Sequence, residues 1–524
     1  MEAKFNLLFE PWILALDKYG EVKELPLLDI FRDAHNIKQL AGELPTQDVA
    51  VLRLLLAVLY CVFTEYDVGG EPNPLRGDID GLGRWEELWK LRQFPYEVIE
   101  SYLMKYKDRF YLFHPERPFY QVANLRNRKA IKYSAAKLIG DLSESGNKVR
   151  QFAARSGNKK QYLTYSEAAR WLLYLNGFDD TSAKPSERGQ DMPSVGAGYL
   201  GRLGLIYANG YNLFESLMLN FMLEEKDVEG YAVWENKARG EERGLTPQPA
   251  GRKELLTLQS RRLLLTKGND GETVTGYKLL GGDCFNTENA FVEHMTIWRK
   301  DKSSKTDVYK PKRHDPAKAF WRDFASLTEA ENGSISPGIV NWIARLELSN
   351  ILNGRQIWLQ TVSVKYGEKD FFVDNVFGDG ISINSSLFSE IGKNWVARIC
   401  AVLKKTRNCV WHLKNLARAI DTASGWKEKE HKESPSMEPT ASQAYFNLDI
   451  PFRRWLAGID PARDSIEEKP AEWLLLARRQ LLQQGRQMFD GAGEKALTGE
   501  KNAIAAFYIF ERAIIRNTGK EDLA

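Results

Sequence analysis

Toward its end the chain carries a helical pattern of apolar positions. In "SLFSEIGKNWVARICAVLKKTRNCVWHLKNLARAID", Phe388, Ile391, Trp395, Ile399 and Leu403 recur every three or four residues. "ASQAYFNLDIPFRRWLAGI", "PAEWLLLARRQLLQQGRQMF" and "TGEKNAIAAFYIFERAIIRN" repeat that spacing. They are joined by the charged linker "GWKEKEHKESPSMEP", the turn "GIDPARDS" and the Gly-rich "DGAGEKALTG". Amphipathic helices with such loops predict an antiparallel four-helix bundle over residues 381–524. The pattern changes near "FGDGISINSS".

Upstream, over residues 1–380, the periods are mixed. Residues 1–35 read as short strands and turns. "PTQDVAVLRLLLAVLYCVFT" predicts a buried helix from Pro45, with Thr46 as its cap. "RWEELWKLRQF", "YEVIESYLMKYKDRF" and "NLFESLMLNFMLEE" have helical spacing, as does "TYSEAARWLLYLNGF", with Ser166 as its cap. "FYLFHPERPFYQV" reads as extended. Strand patterns follow between about 255 and 300, where "NDG" between two apolar runs predicts a hairpin. In "RHDPAKAFWRDF", Asp315 reads as a helix cap with Pro316 at the first helical position. The fold class is therefore α+β, a large mixed domain followed by a helical bundle. No internal repeat is convincing.

Composition narrows the function classes. The 524 residues are 43% hydrophobic and 27% charged, with a net charge of +3. That is ordinary for folded domains, and the length suggests two to four domains or lobes. The start "MEAKFNLLFEPW" has no basic stretch ahead of an apolar one, so no signal peptide is expected. The longest apolar run, "AVLRLLLAVLYCVF", is interrupted by Arg53 and is too short to span a bilayer. No membrane association is expected. Cys61, Cys284, Cys400 and Cys409 form no C-x-x-C, which fits a reducing cytoplasm. The near-neutral charge argues against a histone-like binder and leaves room for local basic patches.

Catalytic motifs are incomplete. The six histidines are scattered, without H-E-x-x-H spacing, and neither a P-loop nor a G-x-S-x-G elbow occurs. The doublet His314-Asp315 is the one candidate for a metal-dependent phosphohydrolase or nuclease, and it lacks identifiable partner ligands. "GAGYLG", residues 196–201, matches G-x-G-x-x-G, but a polar, proline-punctuated loop precedes it and "RLGLIYANG" follows it. A dinucleotide site needs a strand before and a helix after. A glycine-rich turn remains, or backbone that approaches nucleic acid with no Cβ in the way. Positive charge gathers in two stretches. Residues 146–166 carry Lys148, Arg150, Arg155, Lys159 and Lys160 with no acid. "RKDKSSKTDVYKPKR", 299–313, carries seven basic residues against Asp301 and Asp307. Each reads as a solvated loop, or as a phosphate contact if the loops share a face.

Five stretches occur in an order that resembles a known family: "FNLLFEPWI", "FYLFHPERPFYQV", "EAARWLLYLNGFDDTSAKPS", "GAGYLGRLG…YANGYNLFESLMLN" and "EHMTIWRK…YKPKRHDPAKAFWRDF". Together with the length and the terminal bundle they resemble the large subunit, CasA, of the type I-E CRISPR surveillance complex Cascade. The resemblance implies a non-enzymatic subunit of an antiviral ribonucleoprotein. It implies partners as well: other Cascade subunits, the 5′ region of the guide RNA, double-stranded target DNA and a helicase-nuclease. Guide pairing reads the target sequence, while this subunit probes the duplex for a protospacer-adjacent motif (PAM) and helps to open it. In the family the probing uses a glycine loop, a hairpin lysine and a polar wedge in the minor groove. That groove is about 6 Å wide and its code is degenerate. On this sequence the loop falls on Gly196, Ala197 and Gly198, and the lysine on Lys278. The wedge falls on Lys369 and Asp370 in "KYGEKDFF", which lacks the usual Gln. The loop that reaches the guide falls within 146–163, with Arg155 and Asn158 as candidates. The cysteine cluster that binds zinc in some relatives is missing here, so neither a metal nor another cofactor is expected.

Overall fold

The structure is a computed structural model describing residues 3–126, 129–140, 142–144, 155–182, 195–237, 240–246, 248–328, 331–427, 433–498 and 503–519. Its contacts divide the chain into two units. One comprises 1–316, 337–342 and 359–379; the other comprises 317–336, 343–358 and 380–524.

The first unit is built around the helix Pro45–Phe63, whose apolar residues from Val49 to Phe63 are buried. It packs against the helices Tyr165–Phe178 and Arg252–Leu256. With 19 residues the helix is long and apolar enough to cross a membrane, so length does not exclude a span here. Its surroundings in the fold are those of a core helix, with nearly the whole segment buried. Arg53, which interrupts the apolar run, pairs inside the core with Glu293 at 2.9 Å. A buried guanidinium needs such a partner to offset the loss of its hydration.

Three cap assignments shift. No side chain caps the helix Pro45–Phe63; Leu44 holds the N-cap position with Pro45 at the first turn, and Thr46 lies inside. The helix Tyr165–Phe178 is capped by Thr164, not Ser166. The Thr164 hydroxyl accepts from the Glu167 N–H, and the Thr164 N–H donates to the Glu167 carboxylate at 2.8 Å. This capping box satisfies two donors at once. At "RHDP" no helix begins. The chain makes turns there, then the 3-10 turn Phe320–Asp323 and the short helix Phe324–Leu327, so Asp315 is not the cap of a helix.

Around these helices lie small sheets. Arg261–Lys267 pairs antiparallel with Thr273–Gly281, with Leu264 opposite Lys278, which is the hairpin expected from "NDG". Ile131–Ser134 adds to its other edge. Trp298–Lys300 and Tyr309–Pro311 form a second hairpin, so the basic stretch 299–313 is folded rather than a free loop. A further sheet orders Val373–Asn384, Gln356–Tyr366 and Leu205–Asn209.

The second unit carries the helices Gly392–Ala423, Met437–Ala457, Glu468–Asp490 and Ile504–Asn517, the first packing on the other three. Glu468–Asp490 also packs against Met437–Ala457 and Ile504–Asn517. Trp395, Ile399, Leu403, Leu448, Trp473 and Phe510 are buried between them. The apolar stripe enters the helix later than the sequence suggests. Phe388 lies in a preceding 3-10 turn and Ile391 is exposed.

Candidate nucleic-acid interface

The glycine loop lies against the end of the helix Tyr165–Phe178. Asp179 and Asp180 follow that helix, and Arg261 at the start of the hairpin clasps them. Its Nε donates to the Asp179 carboxylate at 2.6 Å, and its Nη2 donates to the carbonyls of Asp180 (3.1 Å) and Gly196 (2.9 Å). The Gly198 N–H donates to the Asp179 carbonyl at 2.8 Å. Arg202 folds back onto the loop and donates to the carbonyls of Val195 and Ala197. Burial holds its pKa below the usual arginine range, and the nearby Arg261 and Arg313 act in the same direction. The loop backbone is thus fixed by two arginines, not by a helix dipole. That separates it from a dinucleotide-binding turn.

The glycines have distinct jobs. Gly196 is half-buried and has φ +65°, a conformation that side chains disfavour. Gly198 does not share that conformation. Its lack of a side chain is a packing requirement: a Cβ there would lie 2.6 Å from the Gly177 carbonyl carbon and 2.8 Å from the Phe178 nitrogen. At Gly201 a Cβ would overlap the Tyr366 hydroxyl. Ala197 and Gly198 are buried, so Gly196 is the most open of the three loop residues.

The expected wedge turn reaches the same place. Tyr366, at the end of the strand Gln356–Tyr366, donates its hydroxyl to the Phe178 carbonyl at 2.8 Å. Beyond it the Phe371 N–H donates to the Glu368 carbonyl, closing a turn in which Lys369 (φ 52°) and Asp370 (φ 59°) both have positive φ. Two positive φ values in succession make the tight hairpin turn that usually takes Asn-Gly. The strained tip is tethered. The Thr181 hydroxyl donates to the Lys369 carbonyl at 2.7 Å, and the Thr181 N–H to that of Asp370 at 2.9 Å. Arg313 grips the Asp370 carboxylate with two bonds of 3.1 and 3.0 Å and lies 5.4 Å from the centre of the Tyr366 ring. The Lys369 side chain is exposed.

Gly196–Gly198, Lys369 and Asp370 therefore form one interlocked assembly. Sequence reasoning did not single out Thr181, Arg202 or Arg261 as its fasteners. Arg313 was inside the basic stretch, and its function as a clamp had no local signal. Other candidates lie apart. Lys278 is half-buried, and its ammonium donates to the Leu125 carbonyl at 3.3 Å. The far end of its strand reaches the loop, where a Cβ on Gly281 would lie 2.8 Å from Val195. Arg155 pairs with Glu43 and, at 3.0 Å, with Glu167, which ties it to the body. Asn158 is exposed in the 3-10 turn Gly157–Lys160. The rest of that loop, 145–154, lies outside the described residues. His314 is buried against Gly204 and Phe377, and among the described residues no three His, Cys, Asp or Glu side chains cluster as metal ligands.

A mixed α+β chain with these loops and a terminal helical region has known counterparts. Residues 6–484 match the sequence model of the CRISPR-associated protein Cse1 family. CRISPR-associated protein CasA/Cse1 from Thermus thermophilus is 30% identical over 336 residues, a match spanning 64% of this chain and 62% of that protein. The crystal structure of Thermobifida fusca Cse1 superposes with a TM-score of 0.87 at 28% identity, covering 98% of both chains. A chain of a CRISPR RNA-guided surveillance complex shares the fold with a TM-score of 0.73 at 18% identity, over 98% of this chain and 100% of that one. The chain belongs to the CRISPR-associated Cse1 family.

Proposed function

We propose that this chain is the large, non-catalytic subunit of an RNA-guided surveillance complex. In this reading it recognises a protospacer-adjacent motif in duplex DNA and helps to start unwinding and R-loop formation. It also provides a docking surface for a helicase-nuclease. The observation that carries the reading is the shared anchoring of the glycine loop and the strained Lys369-Asp370 turn through Thr181, Tyr366 and Phe178. Backbone strain held by over-determined contacts marks functional sites. A rigid, side-chain-poor surface beside an exposed lysine suits a narrow groove whose code is degenerate. Gly196 and Lys369 are the elements offered to the duplex, with Ala197 and Gly198 as their seat.

The exposed turn bearing Asn158, next to Arg155, is the proposed contact with the complex and the guide's 5′ end. In this reading the unit formed by 1–316, 337–342 and 359–379 probes the DNA, and the helices of the other unit hold displaced or target DNA. The setting is the cytoplasm. The test is a PAM-library binding assay with the complex reconstituted on a guide RNA. Binding should depend on the motif and fall on Lys369→Ala, while a guide-complementary single strand, which needs no opening, still binds. Motif-independent binding of duplex would sink the reading.

A further inference from the structure

The hairpin of Arg261–Lys267 and Thr273–Gly281 meets the segment 113–126 around a cavity of about 450 Å³. Its walls include Phe113, Pro118, Leu125, Leu264 and Leu265, and it also exposes His114, Arg126, Lys267 and Lys278. No Asp or Glu stands among the described lining residues. Glu241 accepts the Arg126 backbone N–H but does not line the cavity. Three cations and an imidazole thus line an open-sided, largely apolar cavity, with no carboxylate among its described lining residues.

The cations are only partly satisfied. The single bond from the Lys278 ammonium to the Leu125 carbonyl, at 3.3 Å, is long for a group with three donors. Lys267 lies over the Phe113 ring at 4.4 Å from its centre. Burial holds Lys267 below the ordinary lysine range, and the like charge of Lys4 adds to it. An anion entering here relieves both effects. Gln121 is already committed: its amide nitrogen donates to the Leu112 carbonyl and its oxygen accepts the Leu265 N–H. Asn124, at positive φ (57°), turns at the wall and supplies an exposed amide.

The volume is within the usual range for a small-molecule site. An inorganic anion alone makes no use of the apolar walls, and a plain hydrocarbon makes none of the lysines. A flat, weakly polar ring joined to a phosphate uses both. We propose that this cavity binds one unstacked nucleotide, its base against Leu264, Leu265 and Pro118 and its phosphate between Lys267 and Lys278. The nucleotide is either free or part of a single strand. This gives Lys278 a phosphate partner inside the cavity instead of a place in a minor groove, so the proposal stands apart from the PAM reading.

The test uses the full chain, titrated calorimetrically with 5′-phosphorylated tetrathymidylate and separately with thymidine monophosphate. Lys267→Ala and Lys278→Ala should each weaken tetrathymidylate binding about tenfold and each lower its salt slope by about one. Lys302→Ala, on the exposed turn of the other hairpin, should change neither. A 5-iododeoxyuridine at the 5′ position should crosslink to peptides within 113–126 or 261–281, a readout that does not depend on variant folding. Binding of the monophosphate with the same lysine dependence assigns a free nucleotide; binding of the strand alone assigns a strand end. The proposal is overturned if neither probe binds, if both lysine variants bind like the parent, or if the crosslink maps elsewhere. Equal competition by a glutamate-rich peptide overturns it too, because the site would then select charge and not a base.

Discussion

A Cβ placed on Gly198 would lie 2.6 Å from the carbonyl carbon of Gly177. The loop backbone and the end of the helix Tyr165–Phe178 are therefore in contact with no room for a side chain. Gly198→Ala is expected to destabilise the fold by about 1–3 kcal/mol, the usual cost of overpacking. Its effect on duplex binding would follow from displacement of the loop. Gly196 has a positive φ and a Cβ position 2.7 Å from the Arg202 Nη2, so substitutions there share that contact and differ in their tolerance of the φ. Gly196→Asn, which tolerates positive φ, should keep most of the stability, whereas Gly196→Ala should cost about 1–2 kcal/mol. Thermal denaturation of the three variants checks this. A Gly198→Ala variant as stable as the parent would show that the contact relaxes freely.

The tip of the neighbouring hairpin should display a trade between stability and function. Lys369 has a positive φ (52°) that glycine adopts without penalty. Lys369→Gly is expected to raise stability by up to about 1 kcal/mol, while binding to PAM-containing duplex falls. Denaturant midpoints and duplex affinity, measured on the same preparations, test the two halves. Unchanged affinity would remove Lys369 from the interface.

The Arg313–Asp370 pair is about one-third exposed on both sides, so it adds little to global stability. Its expected value is positional. Asp370→Ala and Arg313→Ala should each cost under about 1 kcal/mol in stability. Each should weaken duplex binding, and the double variant no more than either single one. Additive losses in that cycle would mean that the two residues act separately.

Much of the architecture was legible because periodicity reports burial directly. The core helix from Pro45, the "NDG" hairpin and the four terminal helices follow from spacing alone. Caps were read less well. Thr164 and Ser166 are both cap-forming residue types, and only the reciprocal bond to Glu167 distinguishes them. Pro316 resembled a helix start because its local signal is right, but the apolar residues beyond it pack as a 3-10 turn. The candidate site was legible where backbone chemistry shows in the residue type, as in "GAGYLG". It was not legible where distant side chains do the fastening. Arg261 reaches Asp179 across more than eighty positions of sequence, and no local pattern encodes that meeting.

The buried pair Arg53–Glu293 supports the loop from beneath, since the Tyr199 hydroxyl donates to Glu293 at 3.2 Å. Glu293→Ala leaves a guanidinium uncompensated in the core and is expected to cost about 3–5 kcal/mol. Adding Arg53→Met to that variant should recover much of the loss, because no unpaired charge then remains. Urea denaturation of the parent, the single variant and the double variant decides it. A double variant less stable than Glu293→Ala would show that the Arg53 stem is needed for packing, beyond its charge.

Asp48 supplies the pH dependence. It lies among Tyr207, Asn209 and Gln360 in a cavity of about 200 Å³ and accepts the Gly42 N–H at 2.7 Å. Burial pushes its pKa up to about 7, against the smaller opposing effects of that hydrogen bond and of Arg170. An unfolded aspartate titrates near 3.9. Between the two values the folded state holds a proton that the unfolded chain has released. The stability contributed by this group is therefore fully present below about pH 4 and is lost as pH rises through about 7. Asp48→Asn keeps the acceptor for Gly42 and removes the titration. The variant should be more stable than the parent at pH 8, by about 1–3 kcal/mol, and the difference should shrink toward pH 4. Denaturation curves of both proteins across that range test it. Parallel curves for parent and variant would mean that Asp48 is ionised in the folded protein throughout, solvated by water within its cavity.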